Sequence, residues 1–84
     1  GVAEIHENVT AIFYFKSGRA PFVTGGELVE VKPTQPGEWR GAAIQGGTSR
    51  AVTAGEMIVV PLGTCHWFSA IEGVIEYYLV KVVA

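Results

Sequence analysis

The sequence predicts one small all-β domain, a sandwich or barrel of short strands. Three observations carry that prediction. The first is a set of aromatic and β-branched runs: Ala11 to Phe15, Glu27 to Lys32, Met57 to Val60 and Val74 to Val83. The second is a turn signal every 8–12 residues or so between runs: Ser17-Gly18, Gly25-Gly26, Pro36-Gly37, Gly46-Gly47, Pro61-Leu62-Gly63 and Glu72-Gly73. The third is negative. No stretch carries apolar residues at i, i+3, i+4 and i+7 without glycine, proline or a β-branched cluster intruding.

Each element has its own reason. Ala11-Ile12-Phe13-Tyr14-Phe15 is bulky and ends at Ser17-Gly18. Glu27 to Lys32 alternates in part and stops at Pro33. Met57-Ile58-Val59-Val60 is a run of the fully buried type, closed by Pro61-Leu62-Gly63. Val74 to Val83 is long, rich in Val and Tyr, and carries only Glu76 and Lys81 as charges. The stretch Pro33 to Gly37 reads as a loop insertion, because its two prolines remove ladder donors. Gly25-Gly26 and Gly46-Gly47 read as hairpin turns; neither leads into a helix, so neither is a phosphate cradle.

Composition narrows the function classes. The 84 residues allow a single domain. At 49% hydrophobic and 17% charged, the chain has enough apolar surface to order itself and is not disordered. Its six Lys and Arg are scattered and outnumbered by eight Glu, which excludes a basic nucleic-acid face. The longest stretch free of Lys, Arg and Glu, Met57 to Ile71, falls short of the ~20 residues of a spanning helix, so no membrane partner is expected. One cysteine rules out an internal disulfide, and with no leader it leads to the expectation of a cytoplasmic protein. The low charge content leads to the expectation of a homodimer that shares a buried face.

Imidazole chemistry has only His6 and His66 to use. Period-two alternation places Glu4 and His6 on one face of the first strand, and His66 and Phe68 on one face of the segment after Pro61-Leu62-Gly63-Thr64. If both faces point inward, two imidazoles and a carboxylate converge. That donor set suits a divalent ion of the Fe, Mn, Ni or Zn type and leaves positions open for a small-molecule ligand. A pair of ordinary structural histidines is the competing reading.

Gly55, five residues, Pro61-Leu62-Gly63, two residues and His66 together resemble the second motif of the cupin superfamily. Weaker traces resemble the first motif: Gly18 fits its last glycine and His6 its second histidine. Ala11 stands where the family has Glu, Glu4 where it has the first His, and Ala70 where an Asn is common. The resemblance implies a cupin-type jelly-roll barrel, residues 1–84, that begins inside the first motif and lacks an amino-terminal strand. It implies a sheet edge covered by a second subunit through strand exchange or sheet extension. It also implies a ligand or metal site in the barrel, with Glu4, His6 and His66 as metal ligands, and isomerase, lyase or dioxygenase chemistry. The alternative is a degenerate, metal-free cupin that binds a ligand without catalysis, which Ala11 favours.

Other residues are weighed beside these. Phe13, Phe15 and Phe68 would wall a ligand pocket or simply fill the core. Arg40 would reach the cavity to grip a carboxylate or lie on the surface, and Gln45 would offer it a neutral polar contact. Glu38 and Glu56 read as solvated. Cys65 and Trp67 fall on the face opposite His66, so Cys65 is a buried thiol rather than a nucleophile paired with that ring. Tyr77 and Tyr78 point to opposite faces, so at most one of them lines the pocket.

Overall fold

The computed structural model describes residues 2–84. They form eleven strands, all antiparallel in their pairings, and no helix long and apolar enough to cross a membrane occurs among them. The strands are β1 (Ala3–His6), β2 (Val9–Ser17), β3 (Arg19–Thr24), β4 (Glu27–Val29), β5 (Lys32–Gln35) and β6 (Glu38–Gly41). They continue as β7 (Ala43–Gln45), β8 (Thr48–Thr53), β9 (Met57–Val60), β10 (His66–Phe68) and β11 (Glu76–Val83). A six-stranded sheet runs β5-β6-β1-β10-β3-β8, a three-stranded sheet runs β11-β2-β9, and β4 pairs β7 alone.

The three-stranded sheet packs on one face of the large sheet. Between them lie Ala11, Phe13 and Phe15 of β2, Ile58 and Val60 of β9, Phe22 of β3 and Val52 of β8. Phe15, Phe22 and Val52 are fully buried. The rings interlock edge-on: Phe13 meets Phe22 at 5.2 Å, and Phe22 meets Phe68 at 4.7 Å between centroids. A buried phenylalanine contributes about 1.5–3 kcal/mol, so this cluster is the main source of stability. A smaller cluster fills the opposite face of the large sheet, where Ala3, Val23, Ile44 and Cys65 are buried beside Ile5, Leu28 and Trp67. Consecutive residues of β10 therefore serve opposite cores, as alternation requires.

The glycine pairs are not hairpin turns. β3 pairs β8 with Thr24 opposite Thr48, and β4 pairs β7 with Glu27 opposite Gln45. The two pairs are one long ladder, interrupted where Gly25-Gly26 faces Gly46-Gly47. All four glycines have positive φ, and a Cβ on Gly26 would lie 2.5 Å from the Gln45 carbonyl oxygen. Four side-chain-free, left-handed residues let both strands bend together. The bend folds β4 and β7 over the second core.

One further expectation changes. Pro33 does not sit in a loop but in β5, at the edge of the large sheet, where a missing donor leaves no ladder bond broken. β1 lies inside the sheet, with β6 on one side and β10 on the other, and the edges are β5 and β8. What stays uncovered is the outer face of the three-stranded sheet. Tyr14, Met57, Val59, Tyr78, Val80 and Val82 are 45–64% exposed there.

Candidate functional site

One turn brings the histidines together. After β9 the chain reverses at Pro61-Leu62-Gly63, with the Thr64 amide donating to the Pro61 carbonyl at 3.1 Å. Gly63 takes φ +75° there. The same turn is stitched to the end of β1, because the Gly63 amide donates to the His6 carbonyl at 2.8 Å. The Leu62 amide donates to Thr10 Oγ1 at 3.2 Å. β10 then runs back beside β1 with Glu4 opposite His66. The imidazoles of His6 and His66 end face to face, with centroids 5.3 Å apart and planes inclined by 29°. The inward orientation of both rings expected from alternation is present.

Glu4, His6 and His66 each present a ligand atom, and these atoms lie within 4.8 Å of one another. His6 Nε2 is 3.2 Å from a Glu4 oxygen. His6 Nδ1 is bound to a second carboxylate, that of Glu38 on β6. That contact corrects the reading of Glu38 as solvated, since its side chain is only 20% exposed. No motif announces Glu38. It arrives through the β1–β6 register, which sets His6 opposite it. Glu56 is not free in solvent either. Its carboxylate accepts from the Thr53 amide at 2.9 Å and pairs with Arg50 at 2.8 Å. The backbone and hydroxyl bonds of Thr53, then Arg50, hold it below the usual carboxylate range.

The electrostatics of the triad are unusual. An ionised carboxylate only accepts, so Nδ1 of His6 carries the proton donated to Glu38. In the neutral ring this leaves the Nε2 lone pair aimed at the Glu4 oxygen. Two acceptors at that distance call for a cation between them, either a proton or a metal ion. His66 is 9% exposed, and its Nδ1 is buried with no hydrogen-bond partner. Burial depresses its pKa from 6.5 to about 4; His6 and Lys81 push the same way, and the charges of Glu4 and Glu38 oppose. His66 is thus a neutral imidazole with an unused lone pair or N–H at ordinary pH, wedged against Phe13 at 5.5 Å.

A divalent ion fits these donors. Ligands about 2.1 Å from one ion lie roughly 3.0–3.4 Å apart at octahedral to tetrahedral angles and ~4.2 Å apart when opposed. The His6–Glu4 separation already matches, and a donor at the 4.8 Å limit would have to close in by about 0.6 Å to sit opposed or about 1.4–1.8 Å to sit adjacent. Glu38 supplies what metal-bound imidazoles usually carry, a carboxylate on the other ring nitrogen.

A cavity of about 110 Å³ opens beside the triad. Phe13, Phe68, Tyr77, Leu79 and Lys81 line it with Glu4, His6 and His66, and so does Ala11. It has room for several waters or a ligand of a few heavy atoms. Phe13 and Phe68 therefore belong to both core and cavity wall, whereas Phe15 is core alone. Tyr77 lines the cavity while Tyr78, its neighbour, stacks on Tyr14 outside. Arg40 is exposed and opens onto a separate groove of about 390 Å³ over β5 and β6, which gathers no imidazole. Gln45 is exposed at the far end of β7, opposite Glu27. The structure brings neither to the cavity. Lys81, by contrast, is a cavity residue that the sequence marks only as a charge in an apolar strand. Cys65 is buried on the opposite face, its thiol pushed up by burial.

Comparison with protein-family models, with curated proteins and with solved structures returns no match for this chain.

Proposed function

We propose that the chain is a small cupin-type jelly roll that holds a divalent ion on Glu4, His6 and His66 and takes a small ligand in the adjoining cavity. The observation that carries this reading is the convergence of the three donor residues, one of them His66, whose Nδ1 is buried and unpartnered. Each donor plays a distinct part. Glu38 holds the Nδ1 proton of His6 and so keeps Nε2 available. Phe13, Phe68 and Leu79 exclude water around the ligand. The ion, when bound, would supply Lewis acidity toward a chelating carbonyl or carboxylate for isomerase or lyase chemistry, or, if redox-active, would activate dioxygen for dioxygenase chemistry. Among the described residues Glu4 is the carboxylate that lines the cavity, so a proton leaving the ligand would be taken at its side-chain oxygen.

A second reading is favoured by Ala11, which faces the cavity without a donor atom. In that reading the cavity holds a small molecule with no ion. Elemental analysis of protein purified without chelator separates the two. Stoichiometric Fe, Mn, Ni or Zn that is lost in His66→Ala supports the metal centre. No metal, with melting unmoved by adding any of the four ions, leaves the metal-free receptor.

The proposal includes a homodimer through the outer face of the β11-β2-β9 sheet. Tyr14 opposes Tyr78 and Met57, and Val59 and Val80 flank Ile12, giving one contiguous apolar patch. Its one cation, Lys16, lies 4.9 Å over the Tyr78 ring. A standard interface takes about 800 Å² from each partner, and these half-exposed side chains supply most of it. A second copy presents the same apolar patch with a single cation, whereas a highly charged partner would leave most of its own groups unpaired. Sedimentation should give a dimer that Val80→Lys splits; a wild-type monomer at all concentrations removes this part.

A further inference from the structure

We propose that the ligand of this cavity is a small carboxylate anion and that Lys81 on β11 is the residue that binds its negative charge. The inference rests on the metal-centre reading above and names the substrate class of that site. β11 pairs β2 with Tyr77, Leu79 and Lys81 opposite Phe15, Phe13 and Ala11. These three residues of β11 line the cavity, and Lys81 is the only Lys or Arg among its lining residues. The Lys81 ammonium is close enough to His66 to disfavour a second positive charge there. Among the described residues no carboxylate lies within ion-pair distance of Lys81; the ion pairs are His6 with Glu4, His6 with Glu38, and Arg50 with Glu56.

Charge arithmetic then selects the ligand. A divalent ion would bring two positive charges to the cavity and Lys81 a third, against one negative charge on Glu4 in the lining and a second on Glu38 behind His6, which leaves the site net positive. Two cations facing one small space repel each other unless an anion lies between them. A carboxylate fits, because one oxygen can turn to the ion and the other to the ammonium. The volume of about 110 Å³ confines the class to acids of a few carbons, such as α-hydroxy or α-keto acids. The neighbouring apolar walls at Phe13, Phe68 and Leu79 suit the short hydrocarbon part. Position matters as well. Lys81 stands across the ladder from Ala11, so the ligand's charge, rather than a protein carboxylate, occupies that end of the cavity.

The test uses the full chain, Ni(II) and glycolate, with ethylene glycol as the neutral probe of the same size. Calorimetric titration first measures Ni(II) uptake by wild type and Lys81→Gln, then glycolate and ethylene glycol binding to each loaded protein. Lys81 is exposed, so the variant should melt with the wild type. We expect Ni(II) to bind Lys81→Gln at least as tightly as wild type, because a repelling charge is gone. Glycolate should bind Lys81→Gln at least tenfold more weakly, ethylene glycol should be unchanged, and Lys81→Arg should recover most of the glycolate affinity. Glycolate binding within twofold of wild type in Lys81→Gln overturns the role of Lys81 while leaving the metal centre intact. Equal losses of glycolate and ethylene glycol also overturn it, because the residue would then shape the cavity without reading charge. Failure of the wild type to take up Ni(II) overturns the metal centre itself, and this proposal with it.

Discussion

Replacing Glu38 tests the metal centre without touching a ligand. Glu38 binds Nδ1 of His6, and its carboxylate is mostly buried, so the contact is both charge-assisted and shielded. Losing such a partner on a metal-binding imidazole costs about 10–100-fold in metal affinity, or roughly 1.4–2.7 kcal/mol. Glu38→Ala should show the full loss. Glu38→Gln keeps an amide oxygen that can accept from Nδ1–H but loses the charge. Neutral hydrogen bonds are about half as strong as charge-assisted ones, so the Gln variant should lose only ~3–10-fold. Glu7 is the control, because its carboxylate accepts from the Trp39 indole at 2.9 Å and it does not line the cavity. Glu7→Gln should bind as wild type does. The assay is calorimetric Ni(II) or Zn(II) titration at fixed pH, with melting of each metal-free variant alongside. Wild-type affinity in Glu38→Ala, or a loss in Glu7→Gln as large as in Glu38→Gln, refutes the argument that Glu38 orients His6 for an ion.

Other outcomes follow from the same geometry. His66 titrates at about 4 in the fold and at 6.5 in the unfolded chain, so between those values only the unfolded state takes up its proton. Metal-free protein should be indifferent to this group above pH 6.5 and lose of order 3 kcal/mol as pH falls toward 4. His66→Leu should flatten that limb in urea melts across pH; an unchanged acid limb would contradict it. Gly63→Ala should cost about 1–2 kcal/mol, because φ is +75° but nothing lies within 4 Å of the new methyl. Gly26→Ala adds a contact of 2.5 Å with a backbone oxygen and should cost about 3–5 kcal/mol. Equal melting of the two would disprove the paired-glycine corner. Phe13→Ala removes a ring that touches His66, Phe22 and Tyr77, and should lower stability by about 3–5 kcal/mol in chemical denaturation. A loss under 1 kcal/mol would mean that the core between the sheets is not close-packed.

The all-β class and several strands are legible in the sequence because bulky runs announce them: β2, β9 and β11 lie within or around the aromatic and Val-rich segments. β3 and β8 are silent, since Arg19, Pro21, Ser49 and Arg50 look like loop residues. Those strands are made by alternation, which hides Phe22 and Val52 between polar neighbours, and by their mutual register. The triad is legible for a local reason. Glu4 and His6 differ by two positions, and His66 follows a turn whose residues fix its direction. Glu38, Lys81 and Tyr77 are not, because they reach the cavity only through pairings of β6 with β1 and of β11 with β2. Arg40 fails as a cavity residue for the same reason: register sets it beside Glu4, but near the rim, where it opens outward.

The strongest argument for a site here is that the fold would be more stable without one. His66 occupies a place against Phe13 and Phe22 that a phenylalanine or leucine could fill, and its buried Nδ1 goes unpartnered. An unpartnered buried polar atom costs about 1–3 kcal/mol. Beside it, the Nε2 of His6 and an oxygen of Glu4 face one another as acceptors, held there by Glu38 and by the amide of Gly63. A proton on His6 Nε2 relieves its contact with Glu4, and a metal ion placed among the three donors would relieve it as well. The first core is otherwise an ordinary aromatic interior, so the polar conflict is confined to the end of it that opens toward Lys81. A buried, unpartnered imidazole nitrogen at one solvent-connected end of a well-packed core is what the proposed binding centre would use.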